Sequence, residues 1–262
     1  EKVIAERLKT LAAGKPAWAG IDTDSAIPWV EQKLDVALAD SQKEAVRVAV
    51  SSKVMVITGG PGVGKTTLVN AILNILTAKD VKVALAAPTG RAAKRMAETT
   101  GQEAKTIHRL LEVDPMHGGF KKSPDEPLEC DLLVLDETSM VDVPLMASVV
   151  KALPDNAGLI LVGDVDQLPS VGPGQVLADI IESGAVPVAR LTEIFRQAAE
   201  SRIVMNAHRI NSGRMPDLEV AKDAETDFYF VEAREPEDAI TKIIEIVKNR
   251  LPKRFGFDPI QD

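Results

Sequence analysis

The chain has 262 residues, 45% of them hydrophobic and 27% charged, the composition of an ordinary globular protein with one large or two small domains. Its net charge of −8 argues against coating of nucleic acid by bulk electrostatics, but not against a local basic groove. The single cysteine, Cys130, excludes an internal disulfide and favours a cytoplasmic location, and the sequence shows neither a signal-peptide pattern nor an apolar run long enough to span a membrane.

The first predicted element is a helix near the start, where apolar residues recur at helical spacing before a Gly-Lys-Pro break. These apolar residues are Ile4, Leu8 and Leu11. We interpret residues 1–30 as the tail of an upstream domain or a linker. A later helix is predicted to begin at Ser41 and to end near Val50, with Ser41 as N-cap and Glu44 completing a capping box.

Strands and helices are predicted to alternate through the middle of the chain. Apolar runs predict buried strands at Val54–Ile57, Val81–Ala86, Leu132–Leu135, Leu159–Val162 and Val186–Leu191. Helical patterns lie between most of these runs. The alternation predicts an α/β fold, a mostly parallel sheet with helices on both faces, whose ligands bind at the carboxyl ends of the strands.

Two segments depart from this alternation. Residues 113–130 are rich in turn-forming pairs and are predicted to form a hairpin or loop inserted between regular elements. Near the end, the sequence predicts a strand at Phe228–Val231 and a helix at Pro236–Val247. Because one strand and one helix do not make a domain, residues 31–214 are interpreted as a first domain and 215–262 as the start of an incomplete second one.

A glycine-rich run lies directly after the first predicted strand and opens a helical pattern. The run comprises Gly59, Gly60, Pro61, Gly62, Val63, Gly64, Lys65, Thr66 and Thr67. The order strand, G-x-x-x-x-G-K-[ST] loop and helix predicts a phosphate-binding loop. Its glycines allow a sharp turn, and its backbone N–H groups and helix N-terminus attract phosphate oxygens. Lys65 supplies a positive charge for the β- and γ-phosphates, and Thr66 a hydroxyl ligand for Mg²⁺.

Polar residues follow two of the later strands. Asp136 is placed to hold Mg²⁺, and Glu137 to orient or deprotonate an attacking water. Taken alone, such a pair is better explained as solvated carboxylates at a strand end. Gln167 follows another strand and is placed to position water beside a γ-phosphate; a plain acidic turn is the alternative.

Two more side chains suit a nucleotide site. Arg196 is a candidate charge clamp on the γ-phosphate, although a surface ion pair is the commoner fate of an arginine. The amide of Gln42 is able to pair with adenine N6 and N7, and an exposed helix glutamine is the alternative.

Six blocks in a fixed order carry a resemblance to a known family. They are Gly59–Thr67, Ala87–Ala93, Thr106–Leu111, Leu135–Met140, Val162–Pro169 and Ile194–Gln197. Together they resemble the superfamily 1 helicases that move 5′ to 3′, specifically the RecD/TraA-type DNA helicases. Ser170–Gly174 and Ser201–Val204 favour the stand-alone bacterial RecD-like branch. The resemblance implies a RecA-like P-loop NTPase fold.

The same resemblance implies an enzyme of DNA repair or recombination that uses ATP and Mg²⁺ and acts on single-stranded DNA and on single-strand/duplex junctions. It implies that Gln42 reads adenine, Lys65 and Thr66 bind phosphate and Mg²⁺, Asp136 is the second metal anchor, Glu137 is the catalytic base, and Gln167 and Arg196 sense the γ-phosphate. The implied single-strand contacts are Pro88, Thr89, Gly90, Arg91, Thr106, His108 and Arg109. Small residues let a phosphate approach the backbone, while hydroxyls and basic groups meet its oxygens.

The family also uses a second RecA-like domain, which supplies an arginine across the cleft, and no block of this sequence matches it. The chain is therefore predicted to be a fragment that binds nucleotide, hydrolyses it slowly and unwinds nothing. The insert at residues 113–130 corresponds to a hairpin that the family carries beside the duplex junction. Two alternatives stay open: a P-loop ATPase of transport or remodelling that does not act on nucleic acid, and a nucleotide-gated binding module.

Overall fold

The computed structural model describes residues 1–194, 199–219 and 226–259. The chain divides into two compact units, Glu1–Glu200 and Ser201–Asp262. The domain boundaries inferred from the sequence stay predictions. No helix among the described residues has both the length and the apolar character needed to cross a bilayer.

The first unit alternates helices and strands as the sequence predicts. Its helices are α1 (Lys2–Ala12), α2 (Thr23–Leu34), α3 (Asp40–Ser51), α4 (Lys65–Thr77), α5 (Gly90–Thr100), α6 (Ile107–Leu111), α7 (Val143–Ala152) and α8 (Val176–Ser183). Its strands are β1 (Val54–Gly59), β2 (Val83–Ala87), β3 (Ala104–Thr106), β4 (Leu132–Leu135), β5 (Gly158–Gly163) and β6 (Val188–Leu191). A short 3₁₀ turn, Thr138–Met140, lies between β4 and α7.

The described strands form one six-stranded sheet in the order β3-β2-β4-β5-β1-β6, and all neighbouring strands run parallel. This arrangement confirms the predicted α/β fold with a parallel sheet. The sequence reading missed β3, because its three half-buried residues show neither an apolar run nor a clear alternation. In a parallel sheet all carboxyl ends lie at one edge, so the loops after β1, β2, β4 and β5 are neighbours.

Apolar layers cover both faces of the sheet. One layer packs α2, α3 and α4 with Met96 of α5 against the sheet, and the other packs α1, α7 and α8 against the opposite face. The apolar residues of α1 that the sequence singles out, Ile4, Leu8 and Leu11, are buried in this second layer. Burial of an aliphatic side chain of this size contributes about 1.5–3 kcal/mol, so α1 is held on the sheet of the first unit.

The predicted capping box at the start of α3 is wrong. The N-cap is Ala39, not Ser41, and the side chain that reaches back is Gln42 instead of Glu44. The Oε1 atom of Gln42 accepts a hydrogen bond from the backbone N–H of Ala39 at 3.0 Å. The amide oxygen of Gln42 therefore satisfies the free N–H group of an N-cap that lies two residues before the predicted one.

The inserted segment after α6 folds back on itself. Val113 and Phe120 form an antiparallel bridge, and the backbone N–H of Asp114 donates to the carbonyl of Gly119 at 3.0 Å. The ring of Phe120 lies 5.7 Å from that of His108, which joins the insert to α6. The first part of the insert, residues 113–120, thus forms a turn that contacts α6 through the ring of Phe120.

The second unit contains helices α9 (Arg202–Asn211), α10 (Pro236–Glu245) and α11 (Leu251–Phe255), with a π-helical stretch at Ile246–Arg250. The predicted helix beginning at Pro236 is confirmed. The predicted strand at Phe228–Val231 is wrong: these residues are described and adopt no strand conformation. A strand needs a hydrogen-bonding neighbour, and the described part of this unit contains no other strand to pair with it.

Arg7 of α1 ties this helix to the end of α7, and Arg7→Ala is expected to lower the free energy of unfolding by about 1.5–3 kcal/mol. Its guanidinium donates to the carbonyl of Val150 at 3.0 Å and to that of Leu153, and it pairs with Asp155. The variant leaves both carbonyls without this donor. Urea unfolding followed by circular dichroism measures the change. Lys2→Ala, which removes only an exposed ion pair of α1, is the control, and equal effects of the two variants contradict the prediction.

Candidate nucleotide site

The phosphate loop connects β1 to α4 at the carboxyl edge of the sheet. Gly62 and Gly64 have φ angles of 75° and 76°, in the left-handed region that favours glycine. Gly59 is required for a different reason, because a methyl group there would lie 2.5 Å from the carbonyl oxygen of Leu191 in β6. The spacing of the glycines thus follows from the turn itself and from the close approach of a neighbouring strand.

A cavity of about 410 Å³ opens above this loop. Its lining includes every residue of the predicted loop except Gly59, namely Gly60, Pro61, Gly62, Val63, Gly64, Lys65, Thr66 and Thr67. It also includes Asp136 and Glu137 after β4 and Gln167 after β5. Residues separated by about a hundred positions in the sequence therefore share one cavity, and their individual roles stay predictions.

Lys65 lies within the loop and is half-buried. Its ammonium donates to the carbonyl oxygens of Gly59 and Gly60, the latter at 2.9 Å. Burial lowers the pKa of Lys65, and the negative charges of Asp164 and Glu137 oppose that shift. The side chain is therefore positioned as a charge that faces the cavity.

The two carboxylates after β4 are held by an unusual turn. Glu137 has φ 52°, a left-handed conformation that is uncommon for a residue other than glycine and typically costs about 1–3 kcal/mol. Asp136 stabilises the turn, since its Oδ1 accepts from the N–H of Glu137 at 2.9 Å. Next to it, the buried hydroxyl of Thr138 donates to the carbonyl of Val162 at 2.8 Å and anchors the turn to β5. The chain therefore reverses sharply, with both carboxylates on the cavity wall.

The environment makes both carboxylates less acidic than usual. Burial raises the pKa of Asp136, and burial followed by the neighbouring Asp136 charge raises the pKa of Glu137. A carboxylate is a better proton acceptor when its pKa is raised towards the working pH. Glu137 therefore has the electrostatic character of a general base.

Gln167 lies at the end of a short turn built around Asp164. The carboxylate of Asp164, which is only 2% exposed, accepts from the N–H of Asp166 at 3.1 Å, and its backbone carbonyl accepts from the N–H of Gln167 at 3.2 Å. Thr58 of β1 bonds the same turn through the N–H of Val165 at 3.4 Å. The turn is therefore fixed to β1, while the side chain of Gln167 is exposed and lines the cavity.

Gln42 does not belong to the described residues that line the cavity, although it contacts the loop. It is 1% exposed, and its Nε2 donates to the carbonyl of Gly64 at 3.2 Å while Oε1 is bonded to Ala39. Gln42 thus fastens α3 to the phosphate loop. Its role as a reader of adenine stays a prediction, and Arg196 lies outside the described residues.

The residues predicted to contact single-stranded DNA lie close together at the carboxyl ends of β2 and β3. In the register of β2 and β3, Ala87 pairs with Thr106, so the blocks that follow these strands are neighbours. The hydroxyls of Thr89 and Thr106 act as N-caps of α5 and α6, each accepting a backbone N–H at 3.2 Å. The exposed basic side chains of this place are Arg91, His108 and Arg109.

Sequence reasoning missed several residues of the cavity wall. They are Val69, Arg95, Met96, Thr99, Thr100 and Val162. Four of them lie on α5, at positions spaced by three to four residues along one face of the helix. The sequence does not single out Arg95, because nothing local shows that this face of α5 turns towards the phosphate loop.

Comparison with known proteins places this site in a family. The family described as AAA domain matches residues 42–173, half of the chain, and this range contains the loop, both carboxylates and Gln167. The chain belongs to this family. The P-loop and the acidic pair are thus parts of a nucleotide-binding AAA domain.

Individual relatives define the similarity further. The chain is 39% identical over 216 residues to the ATP-dependent RecD2 DNA helicase of Deinococcus radiodurans, a match that covers 82% of the chain and 29% of that protein. It is 37% identical over 209 residues to the RecBCD enzyme subunit RecD of Mycobacterium tuberculosis, covering 71% of the chain and 35% of the subunit. These matches confirm the resemblance to RecD-type helicases. The chain spans about a third of the length of these two relatives.

A solved structure supports the fold. The crystal structure of Pif1 helicase from Candida albicans superposes with a TM-score of 0.51 at 24% identity, covering 71% of this chain and 50% of that one. At this level of identity the likeness concerns the fold alone. It agrees with a RecA-like domain.

Glu137→Gln is expected to raise the melting temperature of the nucleotide-free protein by about 1–4 °C at about pH 8. A raised pKa means that the buried charged form is unfavourable, so native stability is lost as the pH rises through the pKa of Glu137. Glutamine removes that charge, and the gain vanishes at low pH, where Glu137 is already protonated. Thermal melts over a pH series test this, with exposed Glu182→Gln as control; an unchanged or lower melting temperature at high pH contradicts it.

Proposed function

We propose that this chain is the ATP-binding part of a DNA helicase that moves 5′ to 3′ along single-stranded DNA. The observation that carries the proposal is the single cavity shared by the phosphate loop, Asp136, Glu137 and Gln167. The direction of movement and an action at single-strand/duplex junctions in DNA repair or recombination rest on the resemblance to RecD-type helicases. The cytoplasmic location inferred from Cys130 belongs to the same proposal.

The cavity residues divide the work of ATP hydrolysis. Loop N–H groups and Lys65 bind the phosphates, and Glu137 takes a proton from the attacking water that Gln167 orients. Thr66 and Asp136 fit Mg²⁺: both line the cavity with oxygen ligands, and only one oxygen of Asp136 has a hydrogen-bond donor among the described residues. When bound, Mg²⁺ supplies charge that stabilises the phosphates.

The carboxyl ends of β2 and β3 provide the proposed DNA site. Pro88 and Gly90 are small residues that allow a phosphate to approach the backbone, and the exposed Arg91, His108 and Arg109 supply positive charge and hydrogen-bond donors. The curated relative from Deinococcus radiodurans is named a DNA helicase, which supports DNA as the substrate. A local basic patch of this kind is compatible with the overall net charge of −8.

The two alternatives from the sequence fit less well. A transport or remodelling ATPase does not explain the basic side chains beside Thr106, and both curated relatives above are helicase or recombination-enzyme proteins. A non-enzymatic binding module does not explain the strained, half-buried Glu137 beside the phosphate loop. A DNA-dependent ATPase accounts for both the basic side chains beside Thr106 and the conformation of Glu137.

In the natural full-length protein, single-stranded oligothymidine is expected to stimulate ATP hydrolysis strongly, and Lys65→Ala is expected to abolish the stimulated rate because it removes the phosphate-binding charge. A coupled assay of ADP release measures both effects. A rate of hydrolysis that does not change with DNA contradicts the proposed translocase and favours an ATPase that does not act on nucleic acid. The 262-residue chain alone is expected to bind nucleotide and to hydrolyse it slowly.

Arg91→Ala and Arg109→Ala are expected to weaken binding of oligothymidine and to flatten its salt dependence, by about 0.7 in the slope of log affinity against log salt for each lost phosphate contact. Fluorescence anisotropy of a labelled oligonucleotide over a salt series measures this. Lys79→Ala is the matched control, since Lys79 follows α4 at the opposite edge of the sheet. If Lys79→Ala has the same effect, the proposed DNA site is wrong.

A further inference from the structure

Helix α5 forms the wall of the nucleotide cavity that faces the phosphate loop. Ala93 and Met96, each 4% exposed, hold the helix on the core, and Gly101 ends it at φ 67°. Arg95 is exposed and lines the same cavity as Lys65 and Glu137. A helix anchored on the core thus places Arg95 on the wall of the cavity that Lys65 and Glu137 also line.

The charge of Arg95 is not used elsewhere in the described structure. Its neighbour Lys94 pairs with Glu98 at 3.8 Å, whereas no carboxylate among the described residues forms a salt bridge with Arg95. Arg95 lines the same cavity as Asp136 and Glu137, so its guanidinium shares this space with the two carboxylates. In an ATP site the transferred phosphate lies near these carboxylates, because the metal anchor and the base act there.

We propose that Arg95 binds the terminal phosphate of a bound nucleoside triphosphate. The inference rests on the proposed ATP site and adds a residue to it from α5. An arginine is suited to this task, since its planar guanidinium donates two parallel hydrogen bonds to phosphate oxygens. Diphosphate lacks the group that Arg95 contacts, so this residue distinguishes the states before and after hydrolysis.

The position of Arg95 on α5 gives this contact a further consequence. Thr89 is the N-cap of the same helix, and Gly90 and Arg91 lie in its first turn; all three belong to the proposed DNA site. One eleven-residue helix therefore touches the terminal phosphate with its second turn and the DNA strand with its first. Loss of the phosphate removes the contact of the second turn from a helix whose first turn belongs to the proposed DNA site.

The test compares the affinities of a fluorescent non-hydrolysable ATP analogue and of fluorescent ADP, both with Mg²⁺, in the natural full-length protein. Arg95→Ala is expected to weaken binding of the triphosphate about ten- to hundredfold, the effect of a lost charge-assisted hydrogen bond, and to leave ADP binding unchanged. Arg95→Lys is expected to recover part of the affinity, because it keeps the charge without the second hydrogen bond. Lys94→Ala is the matched control and leaves both affinities unchanged.

Other outcomes separate this inference from the function it rests on. If Arg95→Ala and Arg95→Lys both bind the two nucleotides as the wild type does, or lose both equally, while Lys65→Ala loses the triphosphate, the role of Arg95 is wrong and the ATP site stands. If Lys65→Ala also binds both nucleotides normally, the proposed ATP site itself fails. A thermal melt of each variant shows that it is folded before affinities are compared.

Discussion

The parallel direction of all the sheet strands is the constraint on which the site depends. Because every strand ends at the same edge, residues as far apart as Lys65, Asp136 and Gln167 meet without long connections. Tight packing at that edge also restricts which residues fit there. Because β6 passes close to the end of β1, position 59 has room only for glycine. The topology of the sheet thus brings the residues of the nucleotide cavity together, and the individual side chains determine its chemistry.

The turn that carries Glu137 adopts a conformation that local preferences disfavour. Glu137 combines a left-handed backbone with a burial-raised pKa, and each feature disfavours the folded, charged state. The surrounding structure compensates through Asp136, which caps the turn, and Thr138, which ties it to β5. Such opposition between local preference and global fold is expected where a residue is selected for its reaction and not for packing.

The sequence predicted the parts of this site that local rules determine. The phosphate loop follows from glycine spacing between a strand and a helix, and β4 with its acidic pair follows from an apolar run with polar residues at its end. It did not predict β3 or the place of Arg95, since both depend on which elements become neighbours in space. The failed strand at Phe228–Val231 has the same cause, because apolar character alone does not supply a pairing partner.

Gln42 joins the phosphate loop to structure that lies well outside the cavity. The same α3 carries Lys43, which pairs at 3.1 Å with Glu31 of α2, and Glu31 in turn accepts the N–H of Leu38 at 2.8 Å. Polar contacts therefore join α2 to α3 through Lys43, and α3 to the carbonyl of Gly64 through Gln42. Through these contacts, the position of α3 on α2 constrains the backbone of the predicted phosphate loop.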